Sequence, residues 1–412
     1  MPFDRMQRAL LAELAALEQA GTRKGAESVV ARVLPPAGAR GPRVLLEGEG
    51  ERPFLRMNSN GYLGLSHHPD VVDAEERAAR AFGTGPQAVR FISGTFAPHV
   101  ELERRLAAFH GREAALIYSS AYAAVMGILP PLIDESTAVI SDELNHNCII
   151  NALRLAQPGA KRVYPHLDMG ALQAALEGVV GDCRRALVVT DGVFSMRGDH
   201  APLDRIKEIA ERFDARFPEN VSVIVDDSHG VGAFGATGRG TEEVTHAHAD
   251  VLVATLGKSL GVNGGYVVGS GALVELLREK SPFYVYSNPI TPAEAAAASQ
   301  ALMLLDSGEG ERRLAQLRAM TGRFQAGLAR LGYESIGGEH PIVPLLVRDT
   351  PRTAALVRHL RDRGVLATGL NFPVVPRGEE EIRFQISADH TEADVDEALS
   401  ALESFPGGGS AG

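Results

Sequence analysis

Charged and reactive side chains directly follow two apolar runs in the middle of the chain. Val221–Val225 is followed at once by Asp226, with His229 three residues further on. Val251–Ala254 is followed, after a short turn of small residues, by Lys258. Ligands of an α/β sheet bind beyond the carboxyl ends of its strands, so these side chains are expected to share one site. An amine in a confined, partly desolvated site loses its proton more readily, which makes Lys258 a candidate for Schiff-base formation with a carbonyl.

The elements that position these residues form a repeating pattern of strands and helices. Continuous β-branched runs such as Val221–Val225 are typical of strands buried on both faces of a sheet. Similar apolar runs predict further strands at Ala114–Tyr118, Ala138–Ser141, Ala186–Thr190 and Gly264–Gly269. Helices are predicted at His99–Phe109 and Leu203–Phe213. The sequence therefore predicts an α/β fold with a mostly parallel sheet flanked by helices.

The two ends of the chain have a different pattern. Residues 4–20 are predicted to form an amphipathic helix, which would either dock on a partner subunit or pack on its own domain. Two short strands, Val44–Leu46 and Pro53–Met57, are expected to form a hairpin. After Thr291 a long alanine-rich helix leads into a region of mixed type, with helices at Arg312–Leu331 and Thr353–Arg363 and strands at Ile342–Leu346 and Glu381–Ser387.

Composition excludes several classes of function. The chain of 412 residues has a formal net charge of −11, which argues against non-specific nucleic-acid binding. Its two cysteines, Cys148 and Cys183, provide neither a disulfide framework nor a zinc-binding spacing. Apolar runs do not reach transmembrane length, and the N-terminus lacks the apolar core of a signal peptide. We therefore expect a cytoplasmic protein without membrane contact.

Two motifs in the central stretch resemble those of a known family. DDSHGVGAFGATGRG, from Asp226 to Gly240, and TLGKSLG, from Thr255 to Gly261, closely resemble the α-oxoamine synthases. These are fold-type I enzymes that use pyridoxal 5′-phosphate (PLP) to join an amino acid to an acyl-CoA. The resemblance extends from about Asn60 to about His390, and it implies a homodimer with active sites at the subunit interface.

The resemblance assigns roles around the PLP ring. Lys258 would hold the cofactor, and Asp226 would pair with the pyridine nitrogen. His146, which follows the strand Ala138–Ser141, would cover one ring face. His229 would hydrogen-bond the ring oxygen or Asp226, and Ser195 would contact the ring oxygen.

Phosphate binding is expected at the start of the helix that follows Ala114–Tyr118. A helix N-terminus presents free backbone amides and the positive end of a dipole, here through Ala121 and Tyr122. The resemblance adds Thr255 to this set, and it places Asn288 on the phosphate of the neighbouring subunit.

The substrate amino acid is expected to bind near two further motifs. Arg383 lies in the stretch IRFQIS and offers a two-pronged donor to a carboxylate. Asn60 opens the stretch NGYLGL, which resembles the entry to the family's catalytic domain. Gly61 stands where the family usually has Asn or Asp, which leaves one substrate contact open.

The resemblance also predicts the domains and the reaction. The domains would be an N-terminal helix and hairpin segment at 1–58, a large PLP-binding catalytic domain at 59–290, a small C-terminal α+β domain at 291–404 and a disordered tail at 405–412. Local stretches such as VRFISGT and FPVVPRG favour the glycine C-acetyltransferase branch, and thus a reaction of glycine with acetyl-CoA to 2-amino-3-oxobutyrate.

Other functions stay open on sequence alone. A decarboxylating member such as 8-amino-7-oxononanoate synthase, or one with another acyl chain, would carry the same motifs. A PLP reaction without CoA, or a non-catalytic subunit, would retain the fold. A metal site is conceivable at His246 and His248 near Glu242 and Glu243, but their spacing is more typical of a solvated loop, and we predict no metal.

Overall fold

Strands and helices alternate along most of the chain in a computed structural model, which describes residues 3–20, 22–23, 25–372 and 374–407. The strands are β1 Val30–Leu34, β2 Arg43–Leu46, β3 Leu55–Arg56, β4 Ala114–Tyr118, β5 Thr137–Asp142, β6 Ala160–Tyr164, β7 Arg185–Asp191, β8 Val221–Asp226, β9 Val251–Thr255, β10 Gly265–Gly269, β11 Ile342–Leu346, β12 Val365–Leu366, β13 Thr368–Leu370 and β14 Glu381–Gln385. The helices are α1 Asp4–Gln19, α2 Pro69–Phe82, α3 Ala97–Phe109, α4 Ala121–Leu132, α5 Asn147–Ala156, α6 Met169–Glu177, α7 Leu203–Asp214, α8 Thr241–Thr245, α9 Gly271–Lys280, α10 Pro282–Val285, α11 Pro292–Leu305, α12 Gly308–Arg330, α13 Thr350–Asp362 and α14 Glu392–Glu403, with a short 3₁₀ turn at Leu65–His67.

A seven-stranded sheet, in the order β4-β10-β9-β8-β7-β5-β6, forms the centre of the described chain. Strands β5 to β9 pair in parallel, whereas β10 runs antiparallel to both β4 and β9. The predicted α/β fold with a mostly parallel sheet is confirmed. Because the parallel strands end at one edge, Asp142, Asp191, Asp226 and Thr255 all lie at that edge, and Asp191 pairs directly with Asp226 in the register.

Helices cover both faces of this sheet because its strands are apolar on both faces. Successive side chains of a strand point to opposite faces. Thus Ile224 of β8 packs in the cluster that contains residues of α4 and α5, whereas its neighbours Val223 and Val225 pack in the cluster that contains residues of α6 and α7. The sheet is therefore a rigid, fully covered frame whose carboxyl edge positions the polar side chains.

A three-stranded antiparallel sheet, in the order β11-β14-β13, lies in the C-terminal part of the chain. Ile382 and Phe384 of β14 are fully buried in the core. The alternation of side chains in a strand then directs Glu381, Arg383 and Gln385 to the opposite face. Arg383 thereby reaches Asn60, to whose side-chain oxygen it donates at 3.0 Å.

The N-terminal segment is attached to the C-terminal part. Strand β3 pairs in parallel with β12, and the buried Arg43 guanidinium lies 2.7 Å from the Asp394 carboxylate on α14. The expected hairpin contact is present, since Val44 and Phe54 exchange backbone hydrogen bonds of 3.0 and 2.9 Å. However, the main partner of β2 is β1, a strand that the sequence did not predict because most of its side chains are exposed.

The outermost segments contribute little to this core. Helix α1 forms where it was predicted, and none of its described side chains is buried. Phe405 lies against the His359 ring with 5.3 Å between centroids. Residues 408–412 of the predicted disordered tail lie outside the described residues. We retain the domain boundaries at 58, 290 and 404 as a proposal.

Candidate active site

A cavity of about 260 Å³ opens at the carboxyl edge of the large sheet. The residues predicted to hold the cofactor ring line it together: His146, Ser195, Asp226, His229 and Lys258. The residues predicted to hold the phosphate line it as well: Ala121, Tyr122 and Thr255. Residues from five separate segments, between positions 120 and 258, thus meet at one place.

Lys258 lies on the turn after β9 and is partly buried. Desolvation lowers the pKa of its amine to about 8, against the opposing effect of the nearby Asp226 carboxylate. The turn is held by Thr255, whose hydroxyl accepts from the Gly257 amide at 3.0 Å and donates to the Gly264 carbonyl at 3.1 Å. An amine with this pKa carries its unprotonated form near neutral pH far more often than an exposed lysine does.

Two buried carboxyl groups, those of Asp226 and Asp191, lie side by side at the cavity floor. Asp226 accepts from the Ser228 amide at 3.1 Å, and Asp191 accepts from the His146 amide at 3.1 Å. The other oxygen of Asp191 is buried and has no partner among the described residues. Burial, and then the charge of Asp226, raise the pKa of Asp191 well above its usual range. Sequence reasoning missed Asp191, although it ends β7 just as Asp226 ends β8.

Asp227, which directly follows Asp226 in the sequence, faces away from the cavity. Its carboxylate accepts from the Thr241 amide and hydroxyl, both at 2.7 Å. Burial raises its pKa to about 7, against those two bonds. A Cβ on Gly240 would come within 2.0 Å of this carboxylate, so the glycine-rich loop after β8 is wrapped tightly around Asp227. Asp227 therefore anchors the loop, and Asp226 is left to face the cavity.

His146 caps the N-terminus of α5 at the cavity opening. Its Nδ1 accepts from the Cys148 amide at 3.3 Å and lies 2.9 Å from the Cys148 thiol. That thiol also lies 3.7 Å from an Asp226 oxygen. Burial, and then the charge of Asp226, raise the pKa of Cys148, so the thiol stays protonated. Cys148 is a cavity residue that sequence reasoning treated only as a free thiol.

The N-terminus of α4 forms another wall of the cavity. Ser120 caps the helix by accepting from the Ala123 amide at 3.0 Å, which leaves the two earlier amides, those of Ala121 and Tyr122, to point outward from the helix. Gly265 of β10 packs against this terminus so closely that a Cβ would lie 2.2 Å from the Ala121 nitrogen. The glycine thus allows the strand to approach the amides without covering them.

A hydrogen-bonded chain links His229 to the residues predicted to bind the substrate. His229 Nδ1 lies 2.8 Å from the Tyr62 hydroxyl, which lies 3.3 Å from Asn60 Oδ1. Arg383 donates to the same Asn60 oxygen at 3.0 Å. With its amide turned to suit its neighbours, Gln385 accepts from Arg383 at 3.1 Å. Asn60 and Arg383 therefore lie together, although they are 323 positions apart.

Tyr62 is a member of this hydrogen-bonded network to which the sequence analysis assigned no role. It is fully buried, and the only signal for it was its place two residues after Asn60 in the stretch NGYLGL. Burial, and then the charge of Lys258, lower the pKa of His229 well below its usual value, so its imidazole is neutral. Gly61 has ordinary space around it, with a Cβ position 3.4 Å from Ser59 Oγ, so the backbone does not require a glycine there.

Ser195 lies on the opposite side of the cavity, next to a charged cluster. The neighbouring Phe194 ring packs edge-on against His166, with 4.3 Å between centroids. His166 lies between Asp142 and Asp199, at 3.1 and 3.2 Å. Burial opposes a charge on this imidazole, but the two carboxylates outweigh it and raise the pKa to about 9. The segment that carries Ser195 is thus fixed to the end of β5.

Two predicted features lie away from the cavity. Asn288 is exposed and is not part of the cavity wall.

At the alternative metal position, Glu242 is paired with Arg112, and its other oxygen lies 3.2 Å from His248. Within the residues that the structure describes, histidine, cysteine and acidic side chains do not form a group of three that could hold a metal ion. Across the same residues, the helices are too short or too polar to cross a membrane.

Comparisons with known proteins agree with this geometry. Residues 52–402 match the family model described as aminotransferase class I and II. The chain is 40% identical over 393 residues to the mitochondrial 2-amino-3-ketobutyrate coenzyme A ligase of Bos taurus, covering 95% of this chain and 90% of that protein. It is 39% identical over 402 residues to the 8-amino-7-oxononanoate synthase of Geobacter sulfurreducens, covering 96% of this chain and 97% of that protein. The solved serine palmitoyltransferase of Sphingomonas wittichii has a TM-score of 0.86 at 28% identity, covering 98% of this chain and 96% of that one.

The sheet, with Lys258 beyond one strand and Asp226 at the end of its neighbour, is that of a fold-type I PLP-dependent transferase. The chain belongs to the aminotransferase class I and II family and, within it, to the α-oxoamine synthases.

The residues present fit PLP. Outward amides at the start of α4 suit a phosphate, and the Asp226 side chain that lines the cavity suits a protonated ring nitrogen. The Lys258 amine, with its lowered pKa, suits an aldehyde. The cavity therefore offers a complementary group for each end of the cofactor.

Proposed function

We propose that this α-oxoamine synthase condenses glycine with acetyl-CoA to give 2-amino-3-oxobutyrate and CoA. The observation that carries this proposal is the joining of Lys258 and Asp226 in one cavity, with Arg383 and Asn60 linked to it through His229. The 40% identity to a 2-amino-3-ketobutyrate coenzyme A ligase over 95% of the chain supports the choice of product.

Bound PLP supplies an electron sink that makes the α-proton of a linked amino acid more acidic. Asp226 would pair with the ring nitrogen, and His146 would cover one face of the ring. Ser195 and the neutral His229 would donate to the ring oxygen. The amides of Ala121 and Tyr122, with the Thr255 hydroxyl, would hold the phosphate.

The substrate residues would orient glycine for proton removal. The Arg383 guanidinium, held by Asn60 and Gln385, would bind the glycine carboxylate through two parallel hydrogen bonds. Lys258 is then the base that takes the α-proton, and its pKa of about 8 suits that step near neutral pH.

We also propose a homodimer in which Asn288 reaches the partner's phosphate site. Three large apolar side chains are strongly exposed near this segment: Phe91 at 64%, Ile92 at 68% and Tyr286 at 81%. The two segments that carry them are tied together by Arg90, which lies 5.5 Å from the Tyr284 ring. Burial of this patch between two chains would remove it from water. Sedimentation of the holoenzyme is expected to give about twice the chain mass of 43.8 kDa.

A cytoplasmic location is part of the same proposal. Both cysteines are free and buried, which suits a reducing compartment.

A decarboxylating reaction is the second candidate, supported by the 39% identity to an 8-amino-7-oxononanoate synthase. It uses the same residues up to bond formation and differs in the loss of CO₂. The mass of the product separates the two candidates directly.

The test is release of free CoA thiol from acetyl-, succinyl-, pimeloyl- and palmitoyl-CoA with glycine, alanine or serine. The wild type is expected to act on glycine with acetyl-CoA. Lys258→Ala is expected to lose both the activity and the visible absorbance of the lysine-bound cofactor. Lys280→Ala, at an exposed lysine, serves as the matched control and should retain both. Cofactor absorbance without thiol release from any pair would contradict the proposal and favour a PLP reaction without CoA.

A further inference from the structure

A second, larger cavity of about 790 Å³ adjoins the cofactor cavity. The two share Ser195 as a wall residue. The larger cavity lies between the loop after β7 and strands β11 and β14, and its apolar surface includes Phe194, Met196 and Leu346. Its volume falls in the range of small-molecule binding sites. An acyl donor that reacts beside Ser195 can therefore extend into this space.

The cations of this cavity are already paired. Among the described residues that line it, Arg348 pairs with Glu334, and Arg197 lies 3.0 Å from Asp199. His166 is held between Asp142 and Asp199, as described above. A negatively charged ligand group would have to displace one of these carboxylates to gain a cation.

One carboxyl group that lines the cavity, that of Glu381, has an oxygen without a hydrogen-bond partner among the described residues. This oxygen is Oε1, and Glu381 is only 3% exposed. It lies two residues before Arg383 on the same face of β14, which separates the two side chains by about 7 Å along the strand. Burial raises the pKa of Glu381 to about 7, against the opposing charge of Arg383. A buried carboxyl group without a partner disfavours the approach of a second carboxylate.

We propose that this second cavity receives the acyl group of the acyl-CoA and that Glu381 selects acyl groups without a terminal carboxylate. The proposal rests on the acyltransferase function above and names its substrate class: an uncharged acyl chain. Discrimination comes from the cost of placing a second carboxylate beside the buried, unpartnered carboxyl group of Glu381. It favours acetyl over succinyl and pimeloyl groups.

The test compares binding of heptanoyl-CoA and pimeloyl-CoA to the PLP-loaded enzyme by calorimetry. The two acyl chains have equal length and differ in the terminal carboxylate alone. Amino acid is left out, so binding is measured whether or not the enzyme transfers the acyl group. Heptanoyl-CoA is expected to bind at least about tenfold more tightly, a difference of roughly 1.4 kcal/mol.

Glu381→Gln keeps the size of the side chain and removes its ability to ionise. It is expected to reduce the ratio of the two dissociation constants about tenfold, mainly through tighter binding of pimeloyl-CoA. Glu211→Gln, at an exposed position on α7, makes the same side-chain substitution and should leave the ratio as in the wild type. Thermal melts of both variants confirm that they are folded.

Three results would overturn the proposal: equal or tighter binding of pimeloyl-CoA by the wild type, an unchanged ratio in Glu381→Gln, or no binding of either ligand. The thiol-release assay judges the acyltransferase function separately. Turnover with acetyl-CoA together with an unchanged ratio would refute the role of Glu381 alone.

Discussion

The molecule contains two buried tyrosine–histidine pairs with the same bond length and different surroundings. Tyr62 lies 2.8 Å from His229, and Tyr266 lies 2.8 Å from His110. Burial lowers the pKa of both imidazoles, that of His110 to about 3. The first pair lies between the cofactor cavity and Asn60, whereas the second joins the residue that follows α3 to β10, and both of its members are buried. A lowered histidine pKa therefore does not by itself identify a functional site. The residues around each pair distinguish the two.

The comparison also shows what each hydroxyl proton can do. The Tyr62 hydroxyl has two acceptors, Asn60 Oδ1 and His229 Nδ1, and the nitrogen is the nearer. Donation to Nδ1 places the imidazole proton of neutral His229 on Nε2, where it can be offered to a ligand. In the second pair, the hydrogen bond between Tyr266 and His110 only satisfies two buried polar groups.

The largest difference between the pairs is expected when the histidines are replaced. His229→Asn should lower the rate of CoA release about a hundredfold, because a positioned donor to the cofactor is lost. His110→Asn should retain the rate and lower the free energy of unfolding by roughly 1–3 kcal/mol. Steady-state kinetics and urea unfolding of both variants measure this. Similar losses of rate in both variants would show that the two pairs are equivalent.

A smaller and more selective effect is expected when the tyrosines are replaced. Tyr62→Phe and Tyr266→Phe should each lower the free energy of unfolding by roughly 1–3 kcal/mol, because a buried nitrogen loses its partner. Only Tyr62→Phe should also raise the KM for glycine, by about tenfold, since the support of Asn60 and Arg383 is weakened. It should in addition shift the pH at which the visible absorbance of the bound cofactor changes. An unchanged titration in Tyr62→Phe would reduce this pair to a packing role.

The smallest difference between the two pairs is expected in the pH dependence of the free energy of unfolding. Both histidines should affect it in the same direction below neutral pH. The folded-state pKa of His110 is about 3, below its usual 6.5, so between these values the unfolded chain binds the extra proton. The free energy of unfolding should therefore fall as pH falls below 6.5. His110→Asn should remove up to about 1.4 kcal/mol per pH unit from this slope. His229→Asn should reduce the slope in the same direction, and urea midpoints between pH 4 and 7 provide the measurement.

Much of the fold could be predicted from sequence because its signals are local. Apolar runs identified β4, β5, β7, β8 and β9 to within about one residue, and the polar residues after them line the cavity. Strand pairing is not local, so the antiparallel course of β10 was not foreseen. Strand β14 was expected to reach Ser387 but ends at Gln385, since the Ser387 amide and hydroxyl bond to His390 and Gly61 instead.

The unforeseen site residues share a physical reason. Tyr62 meets His229 across 167 positions, and no spacing rule links them. Glu381 resembled an ordinary strand-end carboxylate, and its lack of a partner is visible only when the cavity around it is formed. Asp191 gained its significance from the register that places it beside Asp226. Such contacts depend on the fold as a whole.

The bond between Arg383 and Asn60 has a consequence for the order in which the protein matures. The residues that line the cofactor cavity lie between positions 120 and 258, in the first two thirds of the chain to be synthesised. The proposed site for the glycine carboxylate forms only when Arg383 meets Asn60, 323 positions earlier, and when β12 adds to β3. Contacts of such sequence separation form late. A nascent or C-terminally truncated chain would thus have its cofactor residues in place before it could hold a substrate.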